Sequence, residues 1–222
     1  DVTAISSISV NGTGTITVDG SGSTLSSQNA AIFVGGSSTG VLNVQNSASV
    51  TSGQFSIGSN SSPATGDGTV NLSGSGSTID AVIVNVGESG FGRLNISDNA
   101  VLTSTRSNTF GENSGNNAIL NIQSGGKFIH TGTGSTRIGQ QGASATITVD
   151  GAGSQLIIND LINMGIIGGG NGGTIDVTNG GTASFQSTLI SQGTINVNGT
   201  NSSLSTGQES LAMGISPAMG TS

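Results

Sequence analysis

Cysteine, tryptophan and tyrosine are absent from this chain, and its 222 residues include only two prolines, one histidine and one lysine. Without cysteine there is no disulfide to staple a small fold and no thiolate to hold zinc, so stability has to come from a core. Charged residues make up 7% and the net charge of −7 is spread thinly; such a chain offers no basic patch to nucleic acid or to an anionic membrane surface. No apolar run approaches the roughly 18 residues that a membrane-spanning helix needs, so no membrane insertion is expected. The chain opens at Asp1 without a charged and then apolar leader, as a secreted product does once its signal is removed. What is abundant is glycine, 39 residues, and hydrophobic residues at 32%, too many and too regularly placed for disorder.

The regularity is a repeat. "GTITVDGSGSTL", residues 14 to 25, returns as "GTVNLSGSGSTI" from Gly68, "ATITVDGAGSQL" from Ala145 and "GTINVNGTNSSL" from Gly193. Aliphatic-x-aliphatic triplets begin at Ile16, Leu42, Val70, Leu94, Leu120, Ile147, Ile175 and Ile195. Two further marks recur in the same order. A hydrophobic residue precedes glycine at Val34, Ile57, Val86, Phe110, Ile138, Met164 and Met213, with Ile190-Ser191 as the exception. A lone apolar residue follows each triplet start closely, at Leu25, Val50, Ile79, Leu102, Phe128, Leu156, Ala183 and Leu204. Its offset separates units with a "G-x-G-S" type turn from units reading "QNSAS", "SDNAV", "QSGGK" or "TNGGT".

Three short period-2 segments per unit, divided by Gly, Asn, Ser and Thr, describe short strands and tight turns. Such a repeat predicts an all-β chain: a right-handed parallel β-helix, or β-solenoid, of about eight coils of about 26 residues with three short strands each. A sandwich is the alternative, although it gives no reason for every unit to repeat the same three segments. Residues 14 to 204 are the solenoid, residues 1 to 13 an N-terminal strand and joint segment, and residues 205 to 222 the completion of the last coil and a tail. The residue inside each triplet faces outward, giving a polar ladder of Thr17, Asn43, Asn71, Asn95, Asn121, Thr148, Asp176 and Asn196. A second outward column reads Thr15, Val41, Thr69, Arg93, Ile119, Thr146, Thr174 and Thr194. These columns suit stacked strands simply as β-branched and self-pairing side chains. Alternatively they form a lattice that binds ice or a polysaccharide, a reading that Arg93, Ile119 and Asp176 interrupt.

Chemistry is hard to assemble from this chain. General acid–base catalysis needs two groups converging in one cleft, and Asp19 and Asp150, which share a repeat position, lie five coils apart. His130 reads as a surface residue beside Lys127. There is no spaced Asp-x-Asp calcium loop and no HExxH; "GIIGGGNGG" from Gly165 has the glycines of a phosphate loop without its Lys-Ser/Thr pair. No catalytic, cofactor or metal residue is therefore assigned.

Alternating units of the form "T-I-T-V-D-G-x-G-S" and "L-N-I-x-x-G-G-x-F" resemble the passenger repeats of bacterial autotransporter-type surface proteins, over residues 14 to 204. The resemblance implies a secreted or surface-displayed right-handed β-helix, often an adhesin or biofilm component. The Trp that commonly follows the "GSGST" turn is Leu25, Ile79, Leu156 or Leu204 here, and no segment resembles that family's C-terminal membrane barrel. The expected function is an extracellular, non-enzymatic structural protein, adhesive or filament-forming. It would assemble head to tail with copies of itself through Ile5, Ile8, Val10, Leu204, Leu211, Met213, Ile215 and Met219, with cell-surface glycans or matrix as further partners. The rivals are an ice- or glycan-binding solenoid using the Thr and Asn columns, and a polysaccharide lyase or hydrolase using a groove.

Overall fold

A computed structural model describes residues 1–4, 6–58, 66–165 and 172–207, and the backbone of residues 211–213. The chain is a β-solenoid. One face is an eight-stranded parallel sheet formed by Gly14–Asp19, Thr39–Gln45, Asp67–Ser73, Phe91–Ser97, Asn117–Gln123, Ser144–Asp150, Gly173–Thr178 and Thr194–Asn198. These eight strands bound seven complete turns. The second and third strands of each coil belong to a single 14-stranded sheet that bends at the corner between them. In several coils one strand runs straight through that corner, as in Ser49–Ile57, Thr78–Val86, Gln155–Met164 and Thr182–Ile190.

Every triplet pairs with the next in the register read from the sequence: Ile16 with Leu42, Leu42 with Val70, then Leu94, Leu120, Ile147, Ile175 and Ile195. The lone apolar residues stack likewise from Leu25 to Leu204. So do the residues before the recurrent glycine, from Val10 and Val34 to Met213. Three inward aliphatic columns therefore meet in one dry core, in which Leu42, Val70, Leu94, Ile79, Ile57 and Val86 are all 0% exposed. Each such side chain contributes roughly 1.5–3 kcal/mol by leaving water.

The two kinds of unit differ in how the chain leaves the first face. In the "G-x-G-S" turns the first and third residues take positive φ, +91° at Gly20 and +83° at Gly22, a conformation closed to most side chains. In the other kind two consecutive residues do so, +56° at Asn46 and +66° at Ser47, which makes the turn one residue shorter. The serine ending the first kind of turn links the two. Ser77 Oγ accepts from Ser47 N at 3.0 Å, Ser154 Oγ from Gly125 N at 3.1 Å, and Ser202 Oγ from Gly180 N at 3.0 Å. The hydroxyls of Ser154 and Ser202 also donate back to the carbonyls of Asp150 and Asn198, at 2.7 Å in both cases. Three of the four tight turns thus expose an amide that the next coil's serine satisfies, a physical reason for one unit type to follow the other, while in the fourth coil Asn99 N donates to the Ser124 carbonyl of a second tight turn at 3.2 Å.

At the N-terminal end the edge is stepped. Val2–Thr3 pairs with Leu25 and Ser26 on the second face, and Ile8–Val10 pairs with Ile32 to Val34 on the third. The first face begins only at Gly14 and so carries one strand fewer than the others.

Candidate functional site

The outward ladder on the first face is continuous over its centre. Asn43 Nδ2 donates to Thr17 Oγ1 at 3.3 Å, Asn71 Nδ2 to Asn43 Oδ1 at 2.9 Å, Asn95 Nδ2 to Asn71 Oδ1 at 2.8 Å, and Asn121 Nδ2 to Asn95 Oδ1 at 2.9 Å. Thr148 lies in register beyond Asn121, and Asn196 Nδ2 closes the row on Asp176 Oδ1 at 2.7 Å. Parallel pairing places identical side chains one strand apart, the spacing at which one amide reaches the next. Each interior amide is left one N–H and one lone pair. The neighbouring column from Thr15 to Thr194 is in register too, with Arg93 lying over the Phe91 ring at 5.3 Å to its centroid.

The end edges differ from the middle. Ile8, Ile16, Ile195 and Leu204 are only partly buried, although they occupy columns whose members elsewhere are dry. Val2 is 57% exposed and Val197 44%, the two exposed large hydrophobic side chains among the described residues, and neither is among the expected assembly residues. Val10 is already buried at 3% exposure. Leu211–Met213 pairs with Thr188 to Ile190, while Ile5, Ile215 and Met219 lie outside the described residues. A groove of about 260 Å³ runs along the N-terminal edge between Asp1, Val2, the strand from Ile16 to Asp19, and Ser23 to Leu25.

Two titratable positions depart from expectation. His130 is not at the surface: it is 0% exposed. It stands two residues after inward Phe128 on the strand Lys127–His130, and period-2 alternation turns it inward as well. Burial holds its basicity below the ordinary histidine value, against smaller opposing effects from Gly134, Asp160 and Ser104. Glu88 and Glu112 follow the recurrent glycine in adjacent coils, after Val86-Gly87 and Phe110-Gly111, and therefore stack. Desolvation, followed by the Glu112 charge, raises the Glu88 pKa to about 6, partly offset by the Asn85 amide donating to its carboxylate at 3.3 Å. Asn113 Nδ2 and Asn116 Nδ2 hold the Glu88 carbonyl at 2.7 and 2.9 Å. The equal offset from Val86-Gly87 and Phe110-Gly111 was a legible signal for this pair.

Beside these glutamates lies a cleft of about 390 Å³ lined by Asp67, Ser89, Phe91, Asn116 and Asn117 together with three glycines. Among the described residues no group of three or more His, Cys, Asp or Glu is placed to hold a metal ion. The glycine-rich stretch after Gly165 lies, over residues 166 to 171, outside the described residues. Comparison with protein-family models, with curated proteins and with solved structures finds no match to this chain.

Proposed function

We propose that this chain is a non-catalytic structural solenoid of an extracellular or bacterial surface fibre, extended by stacking coil upon coil with further copies of itself. The observation that carries the reading is the state of its two edges. The inward columns, dry through the middle coils, are half-open at Ile16, Ile195 and Leu204, and Val197 is 44% exposed. Strand edges with no further partner among the described residues, backed by apolar side chains, are templates for further strands, and a head-to-tail contact between unlike ends grows without closing. The amide ladder supports a packing role, since each interior amide gives one N–H and one lone pair to its neighbours in the row. The repeat resemblance to autotransporter-type passengers supports a surface location and adhesive use.

The test is sedimentation velocity and negative-stain microscopy over a hundredfold concentration range, for the wild type and for Val197→Lys. Rods that lengthen with concentration in the wild type and stay unit-length in the variant are expected. A wild type that remains a monomer throughout would overturn the reading.

A further inference from the structure

Inside the corner between the second and third faces, the fourth and fifth coils differ from their neighbours. In the third and sixth coils the residues lining this corner are Ala81 with Val84 and Ile158 with Ile162, all buried and apolar. The same register positions in between hold Ser104 with Asn108 and His130 with Thr136, each at most 1% exposed. Ser104 Oγ meets His130 Nδ1 at 3.2 Å, and Asn108 Nδ2 donates to Thr136 Oγ1 at 3.2 Å. His130 Nε2 and Asn108 Oδ1 have no partner. A neutral ring can live with one unused nitrogen. An imidazolium donates from both; Nε2 has no partner at hydrogen-bond geometry, and the Gly134 and Ser104 backbone favours the charged ring by less than burial disfavours it.

The same two coils interrupt the strand that runs through the corner in the second, third, sixth and seventh coils. It breaks into Val101–Ser104 and Asn108–Phe110, then into Lys127–His130 and Thr136–Ile138. The turn over residues 131–135 lies directly on the turn over 105–107. A Cβ on Gly132 would run into the Thr105 carbonyl, and one on Gly134 into Ser107. Asp160 of the sixth coil fastens this cover, its Oδ2 accepting from Gly134 N at 2.6 Å and its Oδ1 from Leu161 N at 2.7 Å. Asp160 is also the charged group that acts on the imidazole, and burial outweighs it. Arg106, on the adjoining turn, is exposed.

We infer that this corner is an acid-operated latch: proton uptake by His130 drives the ring out of the interior, the turn over residues 131–135 lifts, and coils four and five part there. Two arrangements compete. With a neutral ring, the interior site is dry and the cover is closed. With a charged ring, water and the Asp160 carboxylate outside offer what the interior lacks. The first-face strands Phe91–Ser97 and Asn117–Gln123 carry no titrating group inward and remain paired, so the opening is local to one corner.

Hydrogen exchange read by mass spectrometry at pH 7.5 and pH 5.0, corrected for the intrinsic pH dependence, tests this on the whole chain. Segments 104–110 and 130–138 are expected to exchange at least about tenfold faster at pH 5.0, while the equivalent corners at 50–57 and 79–86 do not change. The ring resonances should titrate below the unperturbed value near 6.5. His130→Leu and His130→Gln, which cannot take up the proton, should both leave the corner protected at pH 5.0. A uniform response of all corners, the same acid response in both variants, or a ring titrating at or above 6.5 would overturn the latch.

Discussion

Removing one hydroxyl at Ser154 tests the account of why the two turn types alternate. Ser154 is 0% exposed; its Oγ donates to the Asp150 carbonyl at 2.7 Å and accepts from Gly125 N at 3.1 Å. Ser154→Ala deletes both bonds and opens no space worth filling. A net hydrogen bond is worth roughly 0.5–1.5 kcal/mol, and leaving a buried N–H without a partner costs about 1–3 kcal/mol. Because Gly125 N belongs to a covered turn, the larger figure applies to it, and a total loss of about 2–3 kcal/mol follows. Ser21→Ala, in the exposed middle of the equivalent turn of the first coil, should stay within about 0.5 kcal/mol of the wild type. With neither Trp nor Tyr in the chain, the assay is guanidinium unfolding followed by far-ultraviolet circular dichroism, with the denaturant slope checked for constancy. If Ser154→Ala matched Ser21→Ala, the serine would not be what satisfies the tight turn beside it, and the alternation would need another cause.

Leu120→Asp places a charge in the column between Leu94 and Ile147 and should unfold adjacent coils together. Asn121→Asp should cost only about 1 kcal/mol, the bond to Asn95; equal losses in thermal unfolding would contradict the register. For Glu88, whose pKa is raised from 4.5 to about 6, the native state binds more protons than the unfolded one between those values, so its contribution to stability falls as pH rises through that window. Glu88→Gln should therefore be the more stable protein at pH 7 and lose that advantage below pH 4.5, which denaturant midpoints at pH 4, 5.5 and 7 would resolve. Deleting residues 1–13 levels the stepped N-terminal edge to Gly14–Asp19, Thr24–Ser26 and Ala31–Val34. The truncated chain should stay folded but remain a monomer in sedimentation, because the terminal strands Val2–Thr3 and Ile8–Val10 are part of the joint, and a truncated chain that assembles as readily as the wild type would remove them from it.

The strand register was legible because three independent marks recur in one order, and a slip of one residue would have turned the inward Ile, Leu and Val columns outward. The outward row of Thr and Asn followed from the same alternation. The burial of His130 was legible too, since the alternation that turns Phe128 inward reaches it two residues later, whereas its side-chain type alone points to the surface. Glu88 and Glu112 lie in turns after the recurrent glycine, outside the strand columns that the triplet register aligns, so only their equal offset from Val86-Gly87 and Phe110-Gly111 brings them together. The exposure of Val2 and Val197 depends on which strands lack a neighbour, which no local pattern encodes. The serine links between turns needed backbone geometry: nothing in "QNSAS" states that Ser47 N points at the next coil.

The amides of the first face all lean the same way. From Asn43 to Asn121 each nitrogen reaches back to the oxygen of the coil before it, and Asn196 does the same to Asp176. Aligned amide dipoles reinforce one another along a chain of hydrogen bonds, so the row acts as a graduated scale with an arrowhead, marked about every 4.8 Å. Turned end for end, the rod presents donors where it had acceptors. A polymer laid lengthwise on this face, or a second rod alongside, would meet donors and acceptors in opposite order in its two senses, so any contact along the row would distinguish one direction from the other.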